Sequence, residues 1–323
     1  MFATLPDALR LFVVPVFAWA ALRDVRTRRL PNRVWPPLYA FGALLLIWET
    51  AAVWPLAGLE GTRFAVRVAI SLLFVAPLGY GFWYLGAFGG ADAKALIALA
   101  VLFPTFPAYE IAGVTLPLVD TLLGVFSLTI LTNTVLLALA YPLGLAGSNL
   151  LRGELSPTMF FARPVATDSL PSRHGRLFED DDGRTRTGLD LDALRMYLRW
   201  RGLTLAEFRA NPDRFRDPAS VGETHDPTDG ATHLSPRTDG GTATGDAGES
   251  DPWAAARFFD EIDHGAYGTD AETLRGGLAV VARQDRVLVS PGMPFVVPMA
   301  VGLVVSLTYG DVLFAALGAI GLV

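Results

Sequence analysis

Long apolar runs, separated by short polar breaks, organise most of this chain. They fall at about 8–23, 36–57, 64–85, 93–109, 114–146 and 293–323. Several reach the roughly 20 residues needed to cross a hydrocarbon layer of ~30 Å. The pattern predicts an all-α polytopic membrane protein with about six transmembrane helices and a soluble, partly disordered insert before the last. The 93–109 run is the weakest span, because Pro104 and Pro107 interrupt its helix. The expected division is a membrane domain over 1–147, an acidic soluble insert over 148–290 and a final transmembrane helix within 291–323.

Inside the insert the period changes. Leu191, Leu194, Tyr197, Leu198, Leu203, Leu205 and Phe208 follow a helical spacing, and Gly202 divides them into two helices. About 213–251 is rich in Gly, Thr, Asp, Pro and Ser, with too little apolar surface to offset its ordering entropy, and reads as disordered. Trp253–Ile262 reads as a short amphipathic helix. Leu278–Val281 and Arg286–Val289 read as two short strands. There is no internal repeat.

Charge orients the membrane part. Arg23, Arg26, Arg28, Arg29 and Arg33 cluster in the loop after the first run, which the positive-inside rule places in the cytoplasm. That cluster follows the first run, and Asp7 stands before it, so a membrane anchor fits better than a cleaved signal peptide. Trp48 and Trp54 suit an interfacial belt on the far side. If 93–109 spans, the insert is cytoplasmic; if it does not, the insert faces outward. The insert holds 17 Arg against 24 Asp and Glu, so the chain's net charge of −6 belongs to the soluble part. Lys94 is the sole lysine, and low lysine with an acidic excess suggests a salt-loving host. The absence of cysteine excludes disulfides, thiolate metal sites and cysteine nucleophiles.

Two carboxylates stand out. Asp24 follows the first span and Asp92 the third, so odd parity puts both on one face. Asp92 sits among Gly86, Gly89 and Gly90, where the backbone bends and packs closely. Charges at membrane-helix boundaries are costly and usually face a polar interior. Two carboxyls in one site do not readily both ionise: one keeps a proton and polarises a carbonyl while the other activates water. The bland alternative is that each caps a helix or pairs with a nearby Arg or Lys94. Asn133, within a span, reads as an interhelical hydrogen-bonding residue. His174, His225, His233 and His264 lack metal-ligand spacing, so no metal or cofactor is expected.

The motifs carry a resemblance. Asp24, six residues, then Pro31-Asn32 resembles the first-aspartate motif of the type IV prepilin peptidase and archaeal preflagellin peptidase family. Gly89-Gly90-Ala91-Asp92-Ala93-Lys94 is similar to that family's Gly-x-Gly-Asp-x-Lys motif, with Ala91 where the motif has its second glycine. Pro294-Phe295 and Tyr309-Gly310-Asp311 resemble the archaeal branch. The likeness covers 15–146 and 291–312. It implies a membrane aspartic endopeptidase, with Asp24 and Asp92 catalytic, that removes leader peptides from pilin-like or archaellin-like precursors at the cytoplasmic face. Membrane lipid is the other expected partner; nucleic acid is not. The chain lacks the cysteine-rich loop of bacterial members, so peptidase activity alone is implied.

Two rival readings use the same aspartates. A presenilin or signal-peptide-peptidase-like intramembrane protease would hold both deep within helices. A proton-coupled transporter should show paired halves or broken midplane helices, and the sequence shows no such symmetry.

Overall fold

A computed structural model of the chain describes residues 3–85, 88–185, 187–232, 240–241, 251–262 and 264–322. The chain divides into two compact units, Met1–Tyr141 with Pro294–Val323, and Pro142–Met293.

The first unit is a helical bundle. Helices α1 (Leu5–Thr27), α2 (Asn32–Val53) and α3 (Gly58–Tyr84) are each long and apolar enough to cross a membrane, as is the stretch Phe126–Leu151. Those four are the only such helices among the described residues, against the six expected. Two further apolar helices are short: α4 (Gly90–Leu102) and the closing helix Val296–Thr308 have 13 residues each. The 93–109 run stops at Phe103 because Pro104 cannot continue a helix. The 114–146 run is split as well. Its start forms a hairpin, β1 (Tyr109–Ile111) with β2 (Val114–Leu116), and α5 (Phe126–Ala138) begins only at Phe126. The 293–323 run breaks at Gly310, whose φ of +99° suits glycine.

Helix α4 packs against α2 and the second half of α3, and the closing helix packs against α1 and α5. Small residues make this possible. A Cβ at Gly79 would stand 3.2 Å from the Ala93 carbonyl oxygen, and one at Gly42 would stand 3.0 Å from Val101. Ala95, Leu96, Ala98 and Leu99 of α4 are all buried. Midway along α3, Ser71–Val75 forms one π-helical turn ahead of Pro77, whose missing N–H disrupts the regular ladder. The Ser71 hydroxyl shares a 2.7 Å hydrogen bond with Ser127 and also lies 2.7 Å from the Ala100 carbonyl oxygen.

Polar groups close one end of the bundle. The buried Arg10 donates to both Glu49 oxygens at 2.6 Å and to the Leu102 carbonyl at 2.6 Å, tying α1, α2 and α4 together. Asn133 donates to Ser306 Oγ and the Gly310 carbonyl and accepts from Val312 N–H, the interhelical role its sequence position suggests. Asp311 caps the last helix, Val312–Ala319, at Phe314 N–H and accepts from Thr129.

The second unit is mixed. Strands β3 (Arg163–Ala166), β4 (Arg176–Leu177) and β5 (Arg286–Ser290) form an antiparallel sheet in the order β3-β5-β4. Helices α6 (Leu191–Trp200), α7 (Ala255–Glu261) and α8 (Ala271–Arg283) share a core of Leu194, Tyr197, Trp200, Phe258, Leu278 and Val281. Gly202, at φ +63°, separates α6 from a short helix at Leu205–Ala210. Leu278–Val281 is helical rather than a strand: Leu274, Leu278 and Val281 share one face, and Asp270 caps the start at Thr273 N–H. Of the expected disordered stretch, residues 213–232 take defined structure. Phe215 is buried and stacks on Phe208, and Asp217, Asp226 and Asp229 each accept from a backbone N–H two residues on. His233 and most of 233–250 lie outside the described residues.

Candidate active site

Asp24 stands in the last turn of α1, only 8% exposed, and its carbonyl accepts the Arg28 N–H at 2.9 Å. Arg28 ends the helix in a left-handed conformation at φ 55°, unusual for a residue with a Cβ. Thr27 Oγ1 bonds the carbonyls of Arg23 and Arg29, and Pro31 then opens a short 3₁₀ turn at Asn32–Val34 that leads into the rest of α2.

Asp92 occupies the third position of α4. Its Oδ2 accepts the Gly89 N–H at 3.1 Å, and the backbone N–H of Val296 also faces the carboxylate. Gly89 has to be small here, since a Cβ would lie 3.0 Å from that oxygen. Gly90 is less constrained, with Trp83 Nε1 its nearest neighbour at 3.9 Å. Ala91 has ordinary helical backbone and is absent from the positive-φ positions, so the side chain replacing the motif glycine brings no backbone strain. Gly86 and Ala87 lie outside the described residues.

The fold brings the two aspartates together. Asp92 lies within the electrostatic field of Asp24, and the Arg28 guanidinium acts on both. Like charges in one field repel, which favours a proton on one of the two. Arg28, which sequence alone marks only as one of five hairpin arginines, is therefore the cation that acts on both aspartates. The residues flanking the pair converge with it. Lys94 Nζ donates to Asn32 Oδ1 at 2.7 Å, and Tyr39 donates its hydroxyl to the Lys94 carbonyl. Phe295 lays its ring 4.7 Å from Phe88, which in turn lies 4.9 Å from Phe82. Pro294 opens the closing helix by accepting the Val297 N–H, which sets Val296 opposite Asp92. Tyr39, Phe88 and Val296 carry no sequence signal of their own; only their fold neighbours identify them.

Such an arrangement holds a buried and a half-buried carboxyl, two backbone donors and one guanidinium at one end of a bundle of apolar helices. It can bind a water between the carboxyls and move a proton from one to the other. Residues 11–143 match the type IV leader peptidase family. No curated protein matches the chain.

Proposed function

We propose, from a membrane unit matching the type IV leader peptidase family, that this chain is an aspartic endopeptidase acting on pilin-like or archaellin-like precursors. The single observation that carries the reading is the meeting of Asp24 and Asp92 from two separate helix ends. One proton is shared between them. The ionised carboxylate takes a proton from water, the water oxygen attacks the scissile carbonyl, and the protonated partner donates to the carbonyl oxygen. The same proton then passes to the departing amine. The N–H groups of Gly89 and Val296 hold the Asp92 carboxylate in place.

In this reading the basic hairpin and the aspartates face the cytoplasm, and the two 13-residue helices complete six passages with the long ones. Leaders with basic residues at the cut would be attracted by the acidic insert, an effect that salt screens.

The test is co-expression of the full chain with a candidate precursor in host membranes, with precursor size followed by gel. Asp24→Asn and Asp92→Asn should each abolish leader removal while the protein still accumulates, because an amide fills the same space but cannot exchange the proton. Leader removal by either variant would overturn the assignment of the pair.

A further inference from the structure

The end of the bundle remote from Asp24 and Asp92 carries two arginines in a cleft. Arg63 and Arg67 lie one turn apart on the first part of α3, which places their Cβ atoms roughly 6 Å apart. The one hydrogen bond that either makes among the described residues goes to a backbone carbonyl, from Arg67 Nε to Leu123 at 3.1 Å. Glu60 and Asp120, the nearest free carboxylates along the cleft walls, are exposed and form no ion pair with them among the described residues. Asp7 and Glu49, on the neighbouring wall, are taken up by Arg10.

Where the arginines stand decides what they meet. The 27 residues of α3 rise about 40 Å, roughly 10 Å more than the hydrocarbon layer is thick. With that excess at this end, Arg63 stands among lipid headgroups, and Arg67, about 14 Å from Gly58, stands at the edge of the hydrocarbon within snorkelling reach of them. A guanidinium at that boundary is drawn to the lipid phosphates, and its planar fork matches two phosphate oxygens. Besides the arginines, Thr62, Thr121 and Asp120, the cleft of about 800 Å³ is lined by apolar residues, of which Leu59, Val66, Leu122 and Leu123 are exposed. Gly124, at φ +65°, leaves room for the Arg67 guanidinium where any Cβ would collide with it. We infer that Arg63 and Arg67 together hold the phosphate of one anionic phospholipid, whose chains lie along the exposed leucines of the cleft. A free phosphate would satisfy the same guanidinium pair but would leave those leucines uncovered.

The inference needs the membrane passage of α3 and nothing of the proposed peptidase chemistry. It is tested on the full chain, which has no cysteine, carrying a fluorophore on Thr62→Cys, a position on the cleft wall. The labelled protein is placed in phosphatidylcholine vesicles containing a few per cent of brominated phosphatidylglycerol or of brominated phosphatidylcholine. The anionic quencher should be enriched at the label at least about fivefold for each arginine, the ~1 kcal/mol of a basic residue near anionic lipid. Arg63→Gln and Arg67→Gln, singly and together, should reduce that enrichment stepwise to parity, while Arg63→Lys with Arg67→Lys should keep most of it. Equal quenching by the two lipids in the unsubstituted chain would overturn the inference, as would enrichment that survives the double glutamine change. Loss of enrichment on adding millimolar inorganic phosphate, at constant ionic strength, would overturn the headgroup in favour of a free anion.

Discussion

Lys94 Nζ donates a 2.7 Å hydrogen bond to Asn32 Oδ1, joining the first turns of α4 to the loop that follows Asp24. The bond crosses between the two aspartate motifs and fixes one against the other. A lysine near a helix start gains nothing from the helix dipole, so a positioning role accounts for it better than helix stability. Asn32→Ala and Lys94→Met should each slow leader removal roughly fivefold, the worth of ~1 kcal/mol for an exposed charge-assisted bond. The double variant should be no slower than either single one, because both remove the same contact. Additive losses in the kinetics would show that the two residues act separately.

Gly89 and Gly90 should differ sharply. A methyl at 89 meets the Asp92 oxygen at 3.0 Å, whereas one at 90 meets nothing closer than 3.9 Å. Gly89→Ala should cut leader removal about tenfold or more, since displacing a reacting group by ~1 Å has costs of that order or larger. Gly90→Ala should stay within about twofold of the unsubstituted chain. Ala91→Gly should cost about 0.5–1 kcal/mol of stability, as glycine does in a helix, and leave activity in place. Assays of all three in one membrane preparation would compare them directly.

At the other end of the bundle, Arg10 is 1% exposed and pairs with Glu49 at 2.6 Å and Asp7 at 2.9 Å. Breaking one partner of a buried ion pair costs about 3–5 kcal/mol, more than removing both. Glu49→Leu alone should therefore lower the melting temperature in detergent more than Arg10→Met combined with Glu49→Leu and Asp7→Asn, which leaves no charge of the cluster unpaired. Equal melting points for the two would mean that the pair is effectively solvated.

In the second unit, burial pushes the Asp190 carboxyl from 3.8 up to about 6, against the Asp192 N–H and the Arg176 and Arg195 charges that oppose the rise. The folded state then holds this proton more tightly than the unfolded state does. Its contribution to stability is fully present below about pH 4 and is lost as pH rises through about 6. The rise corresponds to at most ~3 kcal/mol. Denaturation of the full chain, followed by tryptophan fluorescence between pH 4 and 7, should show Asp190→Asn gaining relative to the parent as pH increases. Parallel curves would show that the group is solvated in the fold.

The sequence reads the membrane part through hydropathy, and long helices such as Asn32–Val53 are plain in it. Hydropathy fails where apolar character and helix length separate. Residues 114–125 are apolar yet form a hairpin and a loop, and Gly310 cuts the last run although its flanks are apolar throughout. Valine misleads at Val280 and Val281, whose β-branched run hides a helical face. In the insert, low apolar content hides an ordered Phe215, because one aromatic in contact with Phe208 offsets what composition averages away. Around the aspartates the motif residues are legible, since their types follow from chemistry. Arg28, Tyr39 and Val296 are not, because a guanidinium neighbour, a backbone carbonyl contact and a backbone N–H leave no mark in residue identity.

Helix α4 is tied to neighbouring elements at both ends, through Lys94 on the Asn32 side chain and through Arg10 on the Leu102 carbonyl. It behaves as a strut of fixed length set inside longer members. Bilayers differ by several ångströms in thickness, and spanning helices answer by tilting. The long outer helices meet the lipid and take up that adjustment, whereas the buried 13-residue strut has no lipid to match. The height at which Asp92 stands is therefore set by protein contacts rather than by the composition of the membrane that carries it.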